Sequence, residues 1–385
     1  MQSSRFFGIL KVLAVFSSKR FQKLTYYEKD TTVTRKPKLE ELDLVRAFAI
    51  SAVLLIHGTA DATVDVADGS RSLAIYIAIN RLSIFAVPVF ILLSGLVLFY
   101  AYADGWRAGR TLSFYRKRLQ YVIVPYLIWS FFYYLYYPAI LPDIDVRVDP
   151  AEFLRLILGG NASYHLYFIV IIAQFYVLFP LLVSAAAKWS GFARRLWLFG
   201  IAVQLIAYIG EFAFGESSHR ASLCVTYFGL FCIGGSIGMR YERFVAWIDR
   251  NIWWVTALAT AVGFTFVLIV QLSRYDVKYH RIVYDLLFNV YPVLVAASLI
   301  WISRQWFRTR SKWAVRLSAM GAASFGIYFI HPALLALWKS QIGVAPTGLA
   351  YHVATLGGIA LIFVVPWTIV GALKKFKGSW ILFGK

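Results

Sequence analysis

The chain has 385 residues, 60% of them hydrophobic, and its mean hydropathy is +0.66. Its apolar runs are long enough to cross about 30 Å of hydrocarbon, at roughly twenty residues each, which excludes a water-soluble globular class and predicts an all-α polytopic membrane protein. The formal net charge of +20 is also compatible with nucleic-acid binding, but that function needs a basic face on a water-soluble domain. The sequence contains no such domain, so no nucleic-acid partner is expected.

The sequence predicts three regions. Residues 1–40 form a basic cytoplasmic tail, and its apolar run at 6–16 is too short to span a membrane and fits an interfacial helix. The run is not followed by a small-residue cleavage site, so a signal peptide is not expected. Residues 41–373 form the membrane domain, and residues 374–385 form a short cytoplasmic tail.

Hydropathy predicts about ten transmembrane helices. Most of the 39 Lys and Arg residues lie in alternate connecting segments, so the positive-inside rule predicts that both termini are cytoplasmic. The predicted helices are 42–60, 74–100, 119–138, 164–185, 196–214, 221–239, 253–273, 282–302, 321–341 and 349–373.

The first predicted helix contains two ionisable residues, Arg46 near its start and His57 towards its end. On a helix, two residues eleven positions apart point in directions that differ by about 20° and are separated by ~16 Å along the axis, so both side chains lie on one face. Ionisable groups at membrane depth are costly and generally mark a functional path. Two simpler interpretations stay open: Arg46 extends to a cytoplasmic headgroup, and His57 is a hydrogen-bonded packing residue. Asp61, one turn beyond His57, either orients its imidazole or is an exposed loop residue, and the second is favoured.

The cytoplasmic loop before the third predicted helix contains three consecutive cations, Arg116, Lys117 and Arg118. Such a cluster usually determines topology, but it also suits the phosphates of a nucleotide-bearing donor.

Four further residues are candidates for binding a substrate. His165 and Tyr167 begin the fourth predicted helix in an aromatic segment, where rings either anchor at the interface or hold a sugar. His331 lies near mid-membrane beside Pro332 in the ninth predicted helix. Water is scarcer there than at the interface, so His331 indicates a functional site more strongly than His165 does. Glu211, near the outer end of the fifth, either faces a cavity or sits at a loop edge.

Five motifs, taken together and in this order, resemble the acyltransferase 3 family of membrane O-acyltransferases. They span about residues 38 to 373, and the resemblance is to members without a fused extracytoplasmic SGNH-type hydrolase domain. The basic turn departs from the commonest pattern, because Gln120 and Tyr121 stand where a further Arg is often found. The motifs are Arg46-x10-His57, Phe90-Ile-Leu-Leu-Ser-Gly95, the basic turn ending in Pro125-Tyr126, His165-Leu-Tyr-Phe168 with Pro180, and Ser324-Phe-Gly-Ile-Tyr-Phe-Ile-His-Pro332.

This resemblance implies a ten-helix core and cytoplasmic acyl-CoA, acetyl-CoA first among candidates, as the donor. It implies transfer to a hydroxyl of a surface carbohydrate or lipid-linked sugar, in the bacterial plasma membrane, with no bound cofactor or metal. Arg46 and His57 match the family's functional residues. We therefore expect the donor phosphates near Arg46 and residues 116–118, with His57 acting as general base or as transient acyl carrier. The acceptor would bind near His165, Tyr167, Glu211 and His331.

A transporter or flippase that exports a glycan or lipid-linked intermediate is the alternative, using His57, Glu211 and His331 as a proton or substrate path. Transporters often contain repeated halves, and the sequence shows no such repeat.

Overall fold

Helices connected by short turns make up the described part of the chain. The computed structural model describes residues 36–140, 149–215, 220–343 and 348–384, and these contain no β-strand. The run at 6–16 lies outside the described residues. The α-helices are α1 (Glu41–Thr59), α2 (Ala62–Asp65), α3 (Arg71–Leu82), α4 (Ala86–Tyr102), α5 (Thr111–Arg118), α6 (Val124–Ile140), α7 (Pro150–Gly159), α8 (Tyr167–Lys188), α9 (Ser190–Phe214), α10 (Phe228–Met239), α11 (Tyr241–Ser273), α12 (Arg281–Arg308), α13 (Lys312–Ala322), α14 (Ser324–Gln341), α15 (Leu349–Leu373) and α16 (Trp380–Phe383).

Seven helical segments among the described residues are long and apolar enough to cross a membrane, with α3 and α4 taken as one segment; the bent pair α13–α14 brings the number to eight. The predicted all-α polytopic class is therefore confirmed. The count of ten spans and the cytoplasmic termini stay predictions. Two predicted spans are less regular than expected: the 74–100 segment breaks between α3 and α4, and the 221–239 segment becomes α-helical only at Phe228.

Helix α1 lies at the centre of the bundle. It packs against α3, α4, α12, α13, α14 and α15, and Leu44, Ile50 and Leu54 are fully buried. The helix that carries Arg46 and His57 is thus surrounded by protein, as expected of a membrane helix that bears ionisable groups.

Glycines allow α4 and α10 to approach each other closely. A methyl group at Gly234 would collide with the Leu92 carbonyl oxygen, and one at Gly238 would collide with that of Leu96. On the facing helix, a methyl group at Gly95 would meet the Phe231 carbonyl oxygen. Small residues at such contacts let two membrane helices pack backbone to backbone.

The C-terminal segment folds back onto the bundle. Helix α16 packs against α6 and α14, the Trp129 indole donates a hydrogen bond to the Leu382 carbonyl (2.9 Å), and Phe383 is only 2% exposed. The same segment contacts a π-helical turn, Leu119–Ile123, that joins α5 to α6. Residues 379–384 therefore support the basic turn instead of extending away from it.

Candidate active site

Three histidines from different parts of the chain meet inside the bundle. The ring of His57 lies 5.3 Å from that of His331, and the ring of His331 lies 5.6 Å from that of His165. His57 comes from α1, His331 from α14, and His165 from the turn before α8. The 72° bend between α13 and α14 directs α14 across the bundle beside α1.

His331 and His165 are buried, with 0% and 2% of their surfaces exposed. The Nδ1 atom of His331 lies 3.1 Å from the Ile327 carbonyl oxygen; because a carbonyl only accepts, this nitrogen carries the proton. The Nδ1 atom of His165 lies 3.0 Å from the Ser163 hydroxyl. Both Nε2 atoms are buried without a hydrogen-bond partner among the described residues. Such atoms carry a desolvation cost that only a bound group would offset.

Tyrosines enclose the histidine cluster. The Tyr133 ring lies 5.2 Å from that of His165, and its hydroxyl donates to the Phe329 carbonyl (2.6 Å). The Tyr328 hydroxyl donates to the His165 carbonyl. These bonds fix the backbone on either side of the imidazoles, which keeps the rings in place.

One side of the cluster is accessible. The Tyr164 ring lies 4.8 Å from that of His57 and is 52% exposed. Asp61, one turn beyond His57 on the predicted outer side, forms an ion pair of 2.6 Å with Lys339 of α14. Asp61 is thus an exposed, paired residue beside the opening, as the favoured interpretation predicted.

The predicted donor-binding cations line a single cavity of about 650 Å³, opposite the accessible side. Arg46, Arg116, Lys117 and Arg118 all contribute to its wall, and none of the described residues that line it is acidic. Arg118 is held by two aromatic rings, since its guanidinium lies 5.0 Å from the ring centres of both Phe114 and Tyr176. Residues from α1, α5 and the π turn therefore form one cationic chamber.

Arg46 also pairs with buried Asp43, a carboxylate that it shares with Lys38 (2.5 Å). Two cations on one carboxylate leave a net positive charge at the chamber.

The cationic chamber ends beside the histidine cluster without including it. Val53 and Tyr328 line its inner end. Val53 precedes His57 by four residues, about one helical turn, so Arg46, Val53 and His57 follow the single face predicted from their spacing.

Two predicted site residues lie outside the cluster. Tyr167 packs with a neighbouring apolar core around Phe175 and Phe231. Glu211 belongs to a group of four charged residues. It pairs with Arg220 (3.0 Å) and Arg281 (2.7 Å), and both arginines also reach Asp285, at 2.7 and 3.4 Å.

The prediction from sequence did not include Tyr164, Tyr328 or Tyr133. Each lies in or faces a segment rich in aromatic residues, and the sequence pattern there does not distinguish a tyrosine of the site from its neighbours. The available signal was proximity in sequence, because Tyr164 adjoins His165 and Tyr328 precedes His331 by three residues. Among the described residues, no group of three or more His, Cys, Asp or Glu side chains is arranged to hold a metal ion.

The fold and this site define a polytopic membrane protein in which buried imidazoles adjoin a cation-lined chamber. The chain belongs to the acyltransferase 3 family, whose acyltransferase-domain model matches residues 39–371. The protein is therefore a multi-pass membrane acyltransferase, and the resemblance stated from its motifs is confirmed.

Two kinds of name occur among its curated relatives. A Bacillus subtilis protein named "Putative membrane-bound acyltransferase YfiQ" is 24% identical over 90% of this chain and 95% of its own length. A Staphylococcus aureus protein named "Probable poly-beta-1,6-N-acetyl-D-glucosamine export protein" is 23% identical over 77% of this chain and 82% of its own. A Staphylococcus epidermidis protein of the same name is 24% identical over 78% and 82%. No solved structure matches the chain significantly.

Proposed function

We propose that this acyltransferase is an O-acyltransferase of the bacterial plasma membrane. It takes an acyl group, acetyl first among candidates, from cytoplasmic acyl-CoA and transfers it to a hydroxyl of a surface polysaccharide or lipid-linked sugar on the outer side. One observation carries the proposal: Arg46 and the Arg116–Arg118 cluster line the same chamber, whose inner end adjoins the histidine cluster.

The donor fits this arrangement in charge and in length. Phosphates of acyl-CoA would bind the cations of the chamber by charge-assisted hydrogen bonds. From Arg46 to His57 the helix rises ~16 Å, a distance that the extended pantetheine arm spans. The thioester would then arrive beside Val53, one turn from His57.

His57 is placed to act on the acceptor. As general base it would take the proton of the acceptor hydroxyl while that oxygen attacks the thioester carbon. The new C–O bond forms, the C–S bond breaks, and the proton passes from His57 to the departing thiolate, which leaves as CoA. In the covalent alternative a neutral nitrogen of His57 would attack the thioester carbon, the C–S bond would break, and CoA would leave as the thiol with the N–H proton of the ring. The acceptor hydroxyl would then attack the acyl carbon, the bond to the imidazole would break, and the hydroxyl proton would return to the ring. Both routes balance without a cofactor.

The acceptor would approach from the accessible side at Tyr164. The unpartnered Nε2 atoms of His165 and His331 can each hold a sugar hydroxyl at the cluster. For Tyr167 and Glu211, a role in acceptor binding remains a prediction from the sequence. Glu211 already has two arginine partners.

The test compares cells that lack the protein with cells complemented by wild type, His57→Gln or His352→Gln. Ester-linked acyl groups on surface glycans are measured by mass spectrometry before and after mild alkali. We expect wild type and the His352→Gln control to restore acylation and His57→Gln to abolish it, because the hydrogen bond of His352 within the described residues is to Tyr76 and not to the cluster. Acylation restored by His57→Gln would refute the catalytic assignment.

The names of the staphylococcal relatives favour a second candidate, export of a glycan. The same cells distinguish the two functions, since an exporter changes the amount of surface glycan. If total surface glycan falls in the deletion strain while its acyl content per sugar is unchanged, export replaces acyl transfer as the function.

A further inference from the structure

Aromatic side chains narrow the inner end of the cationic chamber. Phe90, Phe168 and Tyr328 all line it there. The rings of Phe90 and Phe168 lie 6.1 Å apart, and those of Phe168 and Tyr328 lie 5.7 Å apart. Adjacent rings at these separations are in packing contact, so the chamber closes on an aromatic wall.

Tyr328 is the member of this wall that also contacts the histidines. Its ring lies 4.8 Å from that of His165 and 6.2 Å from that of His331. The three histidines are absent from the lining of the chamber, whereas Tyr328 is part of it. Tyr328 therefore stands between the chamber and the imidazoles of His165 and His331, and His331 in turn adjoins His57.

The position of Tyr328 is fixed. The side chain is 7% exposed, and its hydroxyl donates to the His165 carbonyl. Because interiors are closely packed and side chains occupy rotamer minima, a ring enclosed in this way does not yield readily to a bulky group.

We propose that Tyr328 is the specificity-determining residue for acyl length, a gate that admits a short acyl group to His57 and stops longer ones. The inference rests on the proposed function. An acyl-CoA whose phosphates bind the cations presents its acyl end at the aromatic wall. Each additional methylene must fit against the Tyr328 ring, and one misplaced methylene in a tight pocket changes kcat/KM by about tenfold or more.

The first test supplies purified protein with surface glycan from the deletion strain as acceptor and measures kcat/KM for acetyl-, propionyl-, butyryl- and hexanoyl-CoA. We expect wild type to favour the shortest donors and Tyr328→Ala to raise the butyryl-to-acetyl ratio by about tenfold or more. Tyr328→Phe, which keeps the ring and loses the hydroxyl, should retain the short-chain profile. If Tyr328→Ala does not fold, Tyr328→Leu should shift the ratio in the same direction.

Tyr176→Ala is the matched control. Tyr176 lines the same chamber but lies at its cationic end, beneath Arg118. Its removal should raise KM for all four donors alike and leave their order unchanged. A profile that is the same in wild type and Tyr328→Ala overturns the acyl-length role.

The second test does not require turnover. A His57→Cys protein in inside-out vesicles is treated with a charged methanethiosulfonate reagent, and labelling is compared with and without Tyr328→Ala. The protein with His57 intact gives the background from Cys224 and Cys232, both buried. We expect labelling to be slow with Tyr328 and measurably faster with Tyr328→Ala.

Equal labelling rates would overturn the gate. A different outcome is faster labelling of the Tyr328→Ala protein when no variant turns over acyl-CoA. Tyr328 would then still be the barrier to His57, but the proposed function would be refuted, together with the acyl-length role that rests on it.

Discussion

The imidazole rings of His57 and His331 lie 5.3 Å apart, although one belongs to α1 and the other to α14. His57 also faces the half-exposed Tyr164 ring, whereas His331 is fully enclosed. The pair thus joins an imidazole that substrate can reach to one whose free Nε2 atom has no partner among the described residues. This relationship gives His57 a neighbour able to share a proton or to hold a substrate hydroxyl.

Replacing His331 by leucine should separate function from stability. His331→Leu removes the buried unpartnered Nε2 atom but also the bond from Nδ1 to the Ile327 carbonyl, so the melting temperature should stay close to that of wild type. Acyl transfer should fall by about 10- to 100-fold, less than the loss typical of a general base. His352→Leu, away from the cluster, is the control for loss of a membrane histidine. Full activity in His331→Leu would assign His331 to packing alone.

Arg46→Gln should weaken binding of the donor nucleotide. A hydrogen bond to a charged group contributes about 1.5–3 kcal/mol, so KM for acetyl-CoA should rise by about tenfold or more. KM for S-acetyl-pantetheine, which lacks the nucleotide phosphates, should be unchanged. Arg308→Gln is the matched control, because Arg308 is exposed, hydrogen-bonds to Gln305 and does not line the chamber. An equal rise for both donors would show that Arg46 supports the fold and does not hold phosphate.

Gly234→Ala should destabilise the contact between α4 and α10. The new methyl group meets the Leu92 carbonyl, a backbone atom that cannot move alone, and such overpacking costs about 1–3 kcal/mol. Gly210→Ala introduces the same methyl on α9 with nothing within 4 Å. Thermal unfolding in detergent should show a lower melting temperature for Gly234→Ala only. Similar melting temperatures would mean that the two helices separate without loss of stability.

Phe383→Ala should show whether α16 stabilises the bundle. Phe383 is buried against α14 and α15 at Gly326 and Val370, and truncating a buried Phe costs about 3–5 kcal/mol. The exposed Phe376 provides the comparison, since Phe376→Ala removes an equal side chain from the same terminal segment. Equal unfolding midpoints for the two variants would show that the C-terminal segment docks without contributing stability.

Local patterns in the sequence determined most of the helices and several of the site residues. The segment predicted at 349–373 coincides with α15, because hydropathy over about twenty residues records the thickness of the membrane. The placement of Arg46 and His57 on one face follows from helical periodicity within a single element. The family also followed from motifs within individual helices, and its model matches residues 39–371.

Tertiary structure alone decided which of these residues meet. Hydropathy cannot indicate that His57, His165 and His331 adjoin, because this depends on the bend between α13 and α14 and on the packing of α14 against α1. It cannot indicate that Glu211 pairs with Arg220 and Arg281, or that Tyr328 closes the chamber. Contacts between distant helices arise from the shapes of their packed side chains, and no short stretch of sequence contains both partners.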